Sequence, residues 1–124
     1  MMKPTLVIVD DIRGMREMLA NGLRGTFDIL AEAADGRQAV EAFHQYHPNL
    51  MLMDIVMPRM SGLEAMKSIR DSATGIPKIV ILSGLTDESI VLKAMEAGAS
   101  DYLFKPPDIE TVRSVLLDVW APAL

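Results

Sequence analysis

Five polar side chains stand where apolar runs of the chain end: Asp10 and Asp11 after Thr5–Val9, Asp54 after Leu50–Met53, Ser83 closing Lys78–Ser83, and Lys105 closing Tyr102–Lys105. If those runs are parallel strands, all five groups meet on the carboxyl-terminal rim of one sheet, where functional groups of open α/β sheets gather. Three converging carboxylates repel one another and raise each other's pKa unless positive charge lies among them. A divalent cation is the simplest remedy. Oxygen ligands without His or Cys suit Mg²⁺, with Mn²⁺ as a substitute, and one or two carboxylates plus water leave positions open for a phosphoryl oxygen. Lys105 adds a second point charge and the Ser83 hydroxyl a hydrogen-bond donor, so the set fits phosphoryl transfer. With no Cys and no sensible Ser–His pair, the covalent acceptor is expected to be an aspartate, which forms an acyl phosphate. Each group alone has an ordinary explanation: Asp10-Asp11 or Asp54 as a helix or loop cap, Ser83-Gly84 as a turn, Lys105 as a solvated lysine before Pro106. Their joint placement at successive strand ends is what carries the argument.

The elements that must position them alternate from end to end. Thr5–Val9 reads as a strand apolar on both faces. Arg13–Arg24 follows as a helix with Met15, Met18, Leu19, Gly22 and Leu23 on one stripe, stopped by Gly25. Phe27–Ala33 reads as an edge strand, since Asp28 and Glu32 interrupt it. Asp35 caps a helix over Gly36–Tyr46, with Ala39, Val40 and Phe43 inward and Pro48 closing it. Leu50–Met53 is the third strand, Leu63–Asp71 the third helix, and Gly75 and Pro77 mark the return to Lys78–Ser83. Thr86 or Asp87 caps a helix to Ala97, ended by Gly98. Tyr102–Lys105 is the last strand, and Asp108 caps a final helix carrying Ile109, Val112, Val115, Leu116 and Val119. Five βα units in one domain over residues 1–124 are expected, with a parallel sheet.

Composition agrees. The 124 residues are 50% hydrophobic and carry 12 basic against 17 acidic side chains, a formal charge of −5, with no Cys. That length supports one core without disulfides. The acidic balance lacks the basic stripe that direct nucleic-acid binding needs. The start, Met1-Met2-Lys3-Pro4, is followed by only five apolar-type residues before Asp10, too few for a signal peptide or a membrane span. A cytoplasmic location is the expectation.

Asp10-Asp11, Met53-Asp54-Ile55-Val56-Met57-Pro58-Arg59-Met60-Ser61-Gly62, Ser83-Gly84 and Gly98-Ala99-Ser100-Asp101-Tyr102-Leu103-Phe104-Lys105-Pro106 together resemble the receiver domain of bacterial two-component response regulators, chemotaxis-type regulators included. The resemblance covers almost the whole chain. It implies a flavodoxin-like fold with strand order 2-1-3-4-5 and helices on both faces. It implies that Asp54 accepts a phosphoryl group from a phosphohistidine on a sensor histidine kinase or phosphotransfer protein. Asp11, Asp54 and the Val56 backbone carbonyl would bind Mg²⁺ directly, with Asp10 acting through water. Lys105 would contact a phosphoryl oxygen, with a cis peptide bond to Pro106. Ser83 would swing its hydroxyl toward the same group, Tyr102 would rotate inward with it, and Gly84 would leave room for the phosphate. Such a protein is a switch and not an enzyme, catalysing only its own phosphorylation and dephosphorylation.

The fourth helix, fifth strand and fifth helix would read the switch. Ile90, Lys93, Ala94, Asp101, Tyr102, Glu110 and Arg113 are expected on that face, docking a downstream effector or a second copy. After Trp120 only four residues follow, so either protein contacts deliver the output or the chain is the receiver of a longer protein. Val56 and Leu85 are apolar where some relatives place amide or acidic side chains that orient water, which predicts slow self-dephosphorylation. Ser61 occupies an often acidic position and Pro107 stiffens a turn, neither touching the site chemistry. Met15, Met57, Met60 and Met66 are expected in adaptable packing.

Three rival functions differ in their requirements. A flavin phosphate needs a Gly/Ser/Thr-rich first loop, where this chain has Asp10-Asp11-Ile12-Arg13. An aspartate-nucleophile phosphatase usually separates its two first-strand carboxylates by one residue and carries a lid. A receiver-shaped interaction module that is never phosphorylated would have no use for the intact set.

Overall fold

The computed structural model describes residues 3–72, 75 and 77–121; Met1-Met2 and Pro122–Leu124, on which the expectations about the two ends partly rest, lie outside them. The order is β1 (Thr5–Val9), α1 (Arg13–Leu23), β2 (Asp28–Ala33), α2 (Gly36–Tyr46), β3 (Leu50–Met53), α3 (Gly62–Ser72), β4 (Lys78–Ser83), α4 (Glu88–Glu96), β5 (Asp101–Phe104) and α5 (Ile109–Trp120). All strand pairs are parallel and the sheet order is β2-β1-β3-β4-β5.

The strands are apolar on both faces because each face is covered. Val7, Val9, Met51, Met53, Ile79 and Ile81 pack under α2, α3 and α4 with Phe43, Met66, Ile69 and Ala94. Leu6, Ile8, Leu50, Leu52, Val80 and Leu82 pack under α1 and α5 with Leu19, Leu23, Val112 and Leu116. Successive side chains of a strand point to opposite faces, so one uninterrupted apolar run feeds two cores. β2 is an edge strand and only its last residue, Ala33, is buried. Met51, Met53 and Met66 are fully buried, Met57 nearly so, and Met60 and Met15 pack against the two cores.

Capping follows the local sequence. Asp35 accepts from the Gln38 N–H, Asp87 from Ser89, and Asp108 from Thr111. Of Thr86 and Asp87, the carboxylate takes the cap. Ser61 and Glu64 form a reciprocal pair at the start of α3, each side chain accepting from the other's backbone N–H at 3.2–3.3 Å. Gly98, at φ +111°, ends α4 in a conformation side chains rarely adopt.

Boundaries differ in small ways. β2 begins at Asp28, not Phe27, whose ring is buried beneath the sheet instead. β5 spans Asp101–Phe104, one residue earlier than the apolar run suggests, so Lys105 lies just past the strand. No helix of the described residues is long and apolar enough to cross a membrane.

Candidate functional site

Register brings the carboxylates together. Val9 pairs with Met53, so Asp10 and Asp54 are each the next residue beyond a paired position on adjacent strands. Both remain in the ladder: Asp54 N–H donates to the Val9 carbonyl and Asp10 N–H to the Ala33 carbonyl, each at 3.0 Å. Two central strands thereby deliver two charged groups to one rim with their backbones fixed.

Asp10, Asp11 and Asp54 each offer a carboxylate oxygen within 4.8 Å of the others'. Asp10 and Asp54 are buried, Asp11 exposed. Lys105 Nζ donates to Asp10 Oδ2 at 2.7 Å and to Asp54 Oδ2 at 2.8 Å. The second oxygens are also engaged: Asp10 Oδ1 accepts from Ile12 N–H at 2.9 Å and Asp54 Oδ1 from Ile55 N–H at 2.7 Å. Burial works against the charged form of Lys105, but the hydrogen bonds and charges of Asp10 and Asp54 together outweigh it, and its pKa lies above the ordinary lysine value.

Ser83 is buried at the end of β4, where its Oγ accepts from Leu85 N–H at 3.2 Å. Its carbonyl accepts from Lys105 N–H at 2.9 Å, fixing the lysine beside it. Tyr102, half-buried, donates its hydroxyl to the Leu85 carbonyl at 2.6 Å. Burial of the phenol raises its pKa, opposed by its contact with Ser83 and assisted by the negative charge of Asp54. Tyr102 and Ser83 therefore grip the same residue, Leu85. A Cβ built on Gly84 meets nothing within 4 Å, so the space beside Ser83 is open. The Lys105–Pro106 peptide bond is cis. Asp11, Ile12, Asp54, Val56, Ser83, Gly84, Leu85 and Lys105 line a cleft of about 330 Å³ open to solvent.

Val56 is 60% exposed, and its carbonyl accepts no hydrogen bond among the described residues. The three carboxylates offer hard oxygens only, within 4.8 Å of one another, and two of them face one ammonium, which fits a small divalent cation and not a soft metal. Three carboxylates against one ammonium leave two negative charges for such an ion to neutralise.

Two supporting groups escape a reading by strand ends. Arg16 donates to the Asp10 carbonyl at 2.8 Å and approaches Glu32 of β2 at 3.6 Å, tying α1 to the rim. Arg59, at φ +66°, pairs with buried Asp35 at 2.7 Å. Arg16 lies one helical turn inside an amphipathic helix next to the acidic pair, a signal that could have been used. Arg59 carries none, because its partner is 24 residues away and its backbone conformation is not one that Arg prefers.

On the fourth-helix side, Ala94 does not face solvent as expected but is fully buried against the sheet, since its position in α4 falls on the inward stripe. Leu92, Met95 and Phe104 are the exposed apolar groups of α4 and β5. Arg113 turns inward to the Gly22 carbonyl at 2.7 Å while holding Glu110.

Comparison with known proteins gives a consistent answer. Residues 6–117 match the family model of the response regulator receiver domain. The chemotaxis protein CheY of Bacillus subtilis (strain 168) is 39% identical over 82% of this chain and 84% of its own length. The signal receiver domain of the putative response regulator NarL from Mycobacterium tuberculosis superposes with a TM-score of 0.92 at 26% identity, covering 97% of this chain and 98% of that one. A chain of the CheX-CheY-BeF3-Mg²⁺ complex from Borrelia burgdorferi superposes with a TM-score of 0.91 at 25% identity, over 98% of this chain and 92% of that one.

Proposed function

Because the chain belongs to the response regulator receiver domain family, a family of signalling proteins, we propose that it is a phosphorylation switch in which Asp54 takes the phosphoryl group of a phosphohistidine. The observation that carries this is the double contact of Lys105, which places one ammonium against both Asp10 and Asp54 at the mouth of an open cleft.

A carboxylate oxygen of Asp54 attacks phosphorus; the new O–P bond forms as the P–N bond to the donor imidazole breaks, and the bonding pair returns to the imidazole nitrogen. Asp54 suits the acceptor role since it ends the central strand β3 and opens on the cleft. Asp10 is not among the residues that line the cleft, and Asp11 is exposed at the rim. Asp11, Asp54 and the Val56 carbonyl would hold Mg²⁺, with Asp10 acting through water, and the ion would supply positive charge for the phosphoryl oxygens. Mn²⁺ has the same preference for oxygen ligands. Lys105, already 2.8 Å from Asp54, gives a second cationic partner that needs little movement. Gly84 leaves room for the incoming group, and Ser83 gains an acceptor once a phosphoryl oxygen is within its reach.

That last step produces the switch. Ser83 Oγ now accepts from Leu85 N–H, and Tyr102 holds the Leu85 carbonyl; a Ser83 hydroxyl turned toward phosphate changes what both ends of Leu85 contact. The loop leading into α4 moves, and Tyr102 on β5 moves with it. The face of α4, β5 and α5, carrying Lys93, Leu92, Met95 and Phe104 outward, transmits the change to an effector or a second copy. The donor is a sensor histidine kinase or phosphotransfer protein. The Borrelia relative, solved with BeF3, Mg²⁺ and CheX, supports both the chemistry and the mode of output.

Intact-mass measurement after incubation with acetyl phosphate and Mg²⁺ tests the reading. One phosphoryl adduct is expected, absent in Asp54→Asn and in chelator. No adduct on folded, Mg²⁺-binding protein would reject phosphorylation in favour of a plain interaction module. Turnover of phosphomonoesters would instead indicate a phosphatase. Sedimentation with and without a phosphoryl mimic tests self-association, and unchanged mass assigns the face to another partner.

A further inference from the structure

The loop between β3 and α3 carries the Val56 carbonyl, and the structure ties that loop to the start of α2 more firmly than its length requires. Gly62 N–H donates to the Ile55 carbonyl at 2.8 Å and closes the loop at its base. Gly36 N–H, at the first residue of α2, donates to the Met60 carbonyl at 2.9 Å. The approach is so close that a Cβ on Gly36 would stand 2.3 Å from that oxygen. Between these ties, Arg59 adopts φ +66°, a left-handed conformation that costs energy for a residue with a side chain. In it, Arg59 Nε lies 2.7 Å from Asp35 Oδ2. Asp35 itself is only 1% exposed, and its other oxygen caps α2 through Gln38 N–H at 2.8 Å.

An uncompensated buried carboxylate is expensive, so Asp35 needs a cation. The one that answers comes from the loop, in a strained conformation, although a glycine at position 59 would relax the backbone. We propose that Asp35 and Arg59 are positioning residues: their ion pair clasps the loop to α2 and holds the Val56 carbonyl where a cation shared with Asp11 and Asp54 meets it. This rests on the assignment of that carbonyl as a cation ligand. Arg59 is separated from Val56 by Met57 and Pro58; Met57 is buried and Pro58 has a fixed φ, so displacement at Arg59 is passed to Val56 with little slack.

The clasp separates two quantities that a purely structural contact would move together. Arg59→Gly removes the strain and the ion pair at once. Its melting temperature without divalent cation is expected to fall less than that of Arg59→Ala, because relief of the strained backbone offsets part of the lost ion pair, while Mg²⁺ affinity measured by titration calorimetry falls about 3- to 10-fold. Arg59→Ala, which keeps the strain and loses the pair, is expected to lose both stability and affinity. Arg59→Lys restores part of the Mg²⁺ affinity. Asp35→Asn keeps a capping oxygen without the charge and weakens Mg²⁺ binding in the same direction. Wild-type affinity in Arg59→Gly and Asp35→Asn would overturn the clasp. Asp11→Asn serves as the control: if wild type and Asp11→Asn bind Mg²⁺ alike, the cation site is misassigned and the clasp falls with it. If only Asp11→Asn is impaired, the site stands and the clasp alone is wrong.

Discussion

Lys105 Nζ stands 2.8 Å from Asp54 Oδ2, so the group assigned to bind phosphate already neutralises the group assigned to receive it. The ammonium brings one positive charge to a rim that carries three carboxylates. Removing the lysine strands buried charge, which costs about 3–5 kcal/mol in a fully buried pair. Because the lysine is partly exposed to solvent, the expected loss for Lys105→Met is smaller, about 1–2 kcal/mol in urea unfolding without divalent cation. Millimolar Mg²⁺ should recover more stability in this variant than in wild type. Equal stability of the two proteins in chelator would refute the argument.

Neutralising a carboxylate has the opposite sign. Asp54→Asn removes one repelling charge while Lys105 keeps Asp10 as a partner at 2.7 Å. Metal-free stability is expected to rise by up to about 1 kcal/mol, as relief of like-charge repulsion commonly gives. Urea unfolding in chelator checks it; a clear loss of stability would mean that the Asp54 oxygens matter more as hydrogen-bond acceptors for Ile55 than as charges.

Strands β1, β3 and β4 and their polar ends were legible because each is apolar on both faces, a pattern that a half-exposed strand could not show. Edge β2 was legible for the opposite reason, charge within the run. What escaped has a physical cause in each instance. Lys105 lies just past the end of β5, its N–H still donating to the Ser83 carbonyl while its side chain turns to Asp10 and Asp54, a tertiary contact that no local pattern encodes. Ala94 was misplaced since an alanine suits either helix face. Arg59 was invisible: its conformation depends on Asp35, on another element. Cap residues Asp35, Asp87 and Asp108 were readable, their partners being two or three residues away.

Glycines separate close approach from mere flexibility. A Cβ at Gly62 would lie 2.1 Å from the Asp54 carbonyl oxygen, a backbone atom that cannot yield without moving the acceptor. Gly14, inside α1, meets nothing within 4 Å. Gly14→Ala is therefore expected to stabilise by about 0.5–1 kcal/mol, the helix preference of alanine. Gly62→Ala should destabilise by about 1–3 kcal/mol, the usual cost of overpacking. Thermal melts of the two variants compare them directly, and like-signed shifts would contradict the geometry.

Stability should fall away at both ends of the pH range for separate reasons. The Gln38 N–H bond, then the Arg59 hydrogen bond and charge, hold Asp35 below the ordinary carboxylate value of 3.8 against the effect of burial. A lowered folded pKa means that its contribution is complete above that value and is lost as pH falls through the folded one. The stability gap between wild type and Asp35→Asn is thus expected to be constant from neutral pH to about 5 and to close below about 4. Lys105 is raised above 10.5, so its contribution is complete below that value and is lost as pH climbs through the raised one. The gap between wild type and Lys105→Met should close only there. Urea midpoints across pH check both signs.

Hydrolysis of the acyl phosphate needs a water aligned opposite the Asp54 oxygen, and two of the residues that line the cleft, Val56 and Leu85, offer no polar side chain to align it. Val56 is 60% exposed at the cleft and Leu85 is held by Ser83 and Tyr102, so both of these cleft-lining positions present hydrocarbon. The phosphorylated form is therefore expected to persist for minutes or longer. Val56→Asn, which places an amide at an exposed position without disturbing a core, should shorten that lifetime several-fold with little change in melting temperature. Decay of the intact-mass adduct after removal of acetyl phosphate measures both. A wild-type lifetime of only seconds would show that the backbone and Lys105 suffice to orient water, and that the apolar flanks do not set the rate.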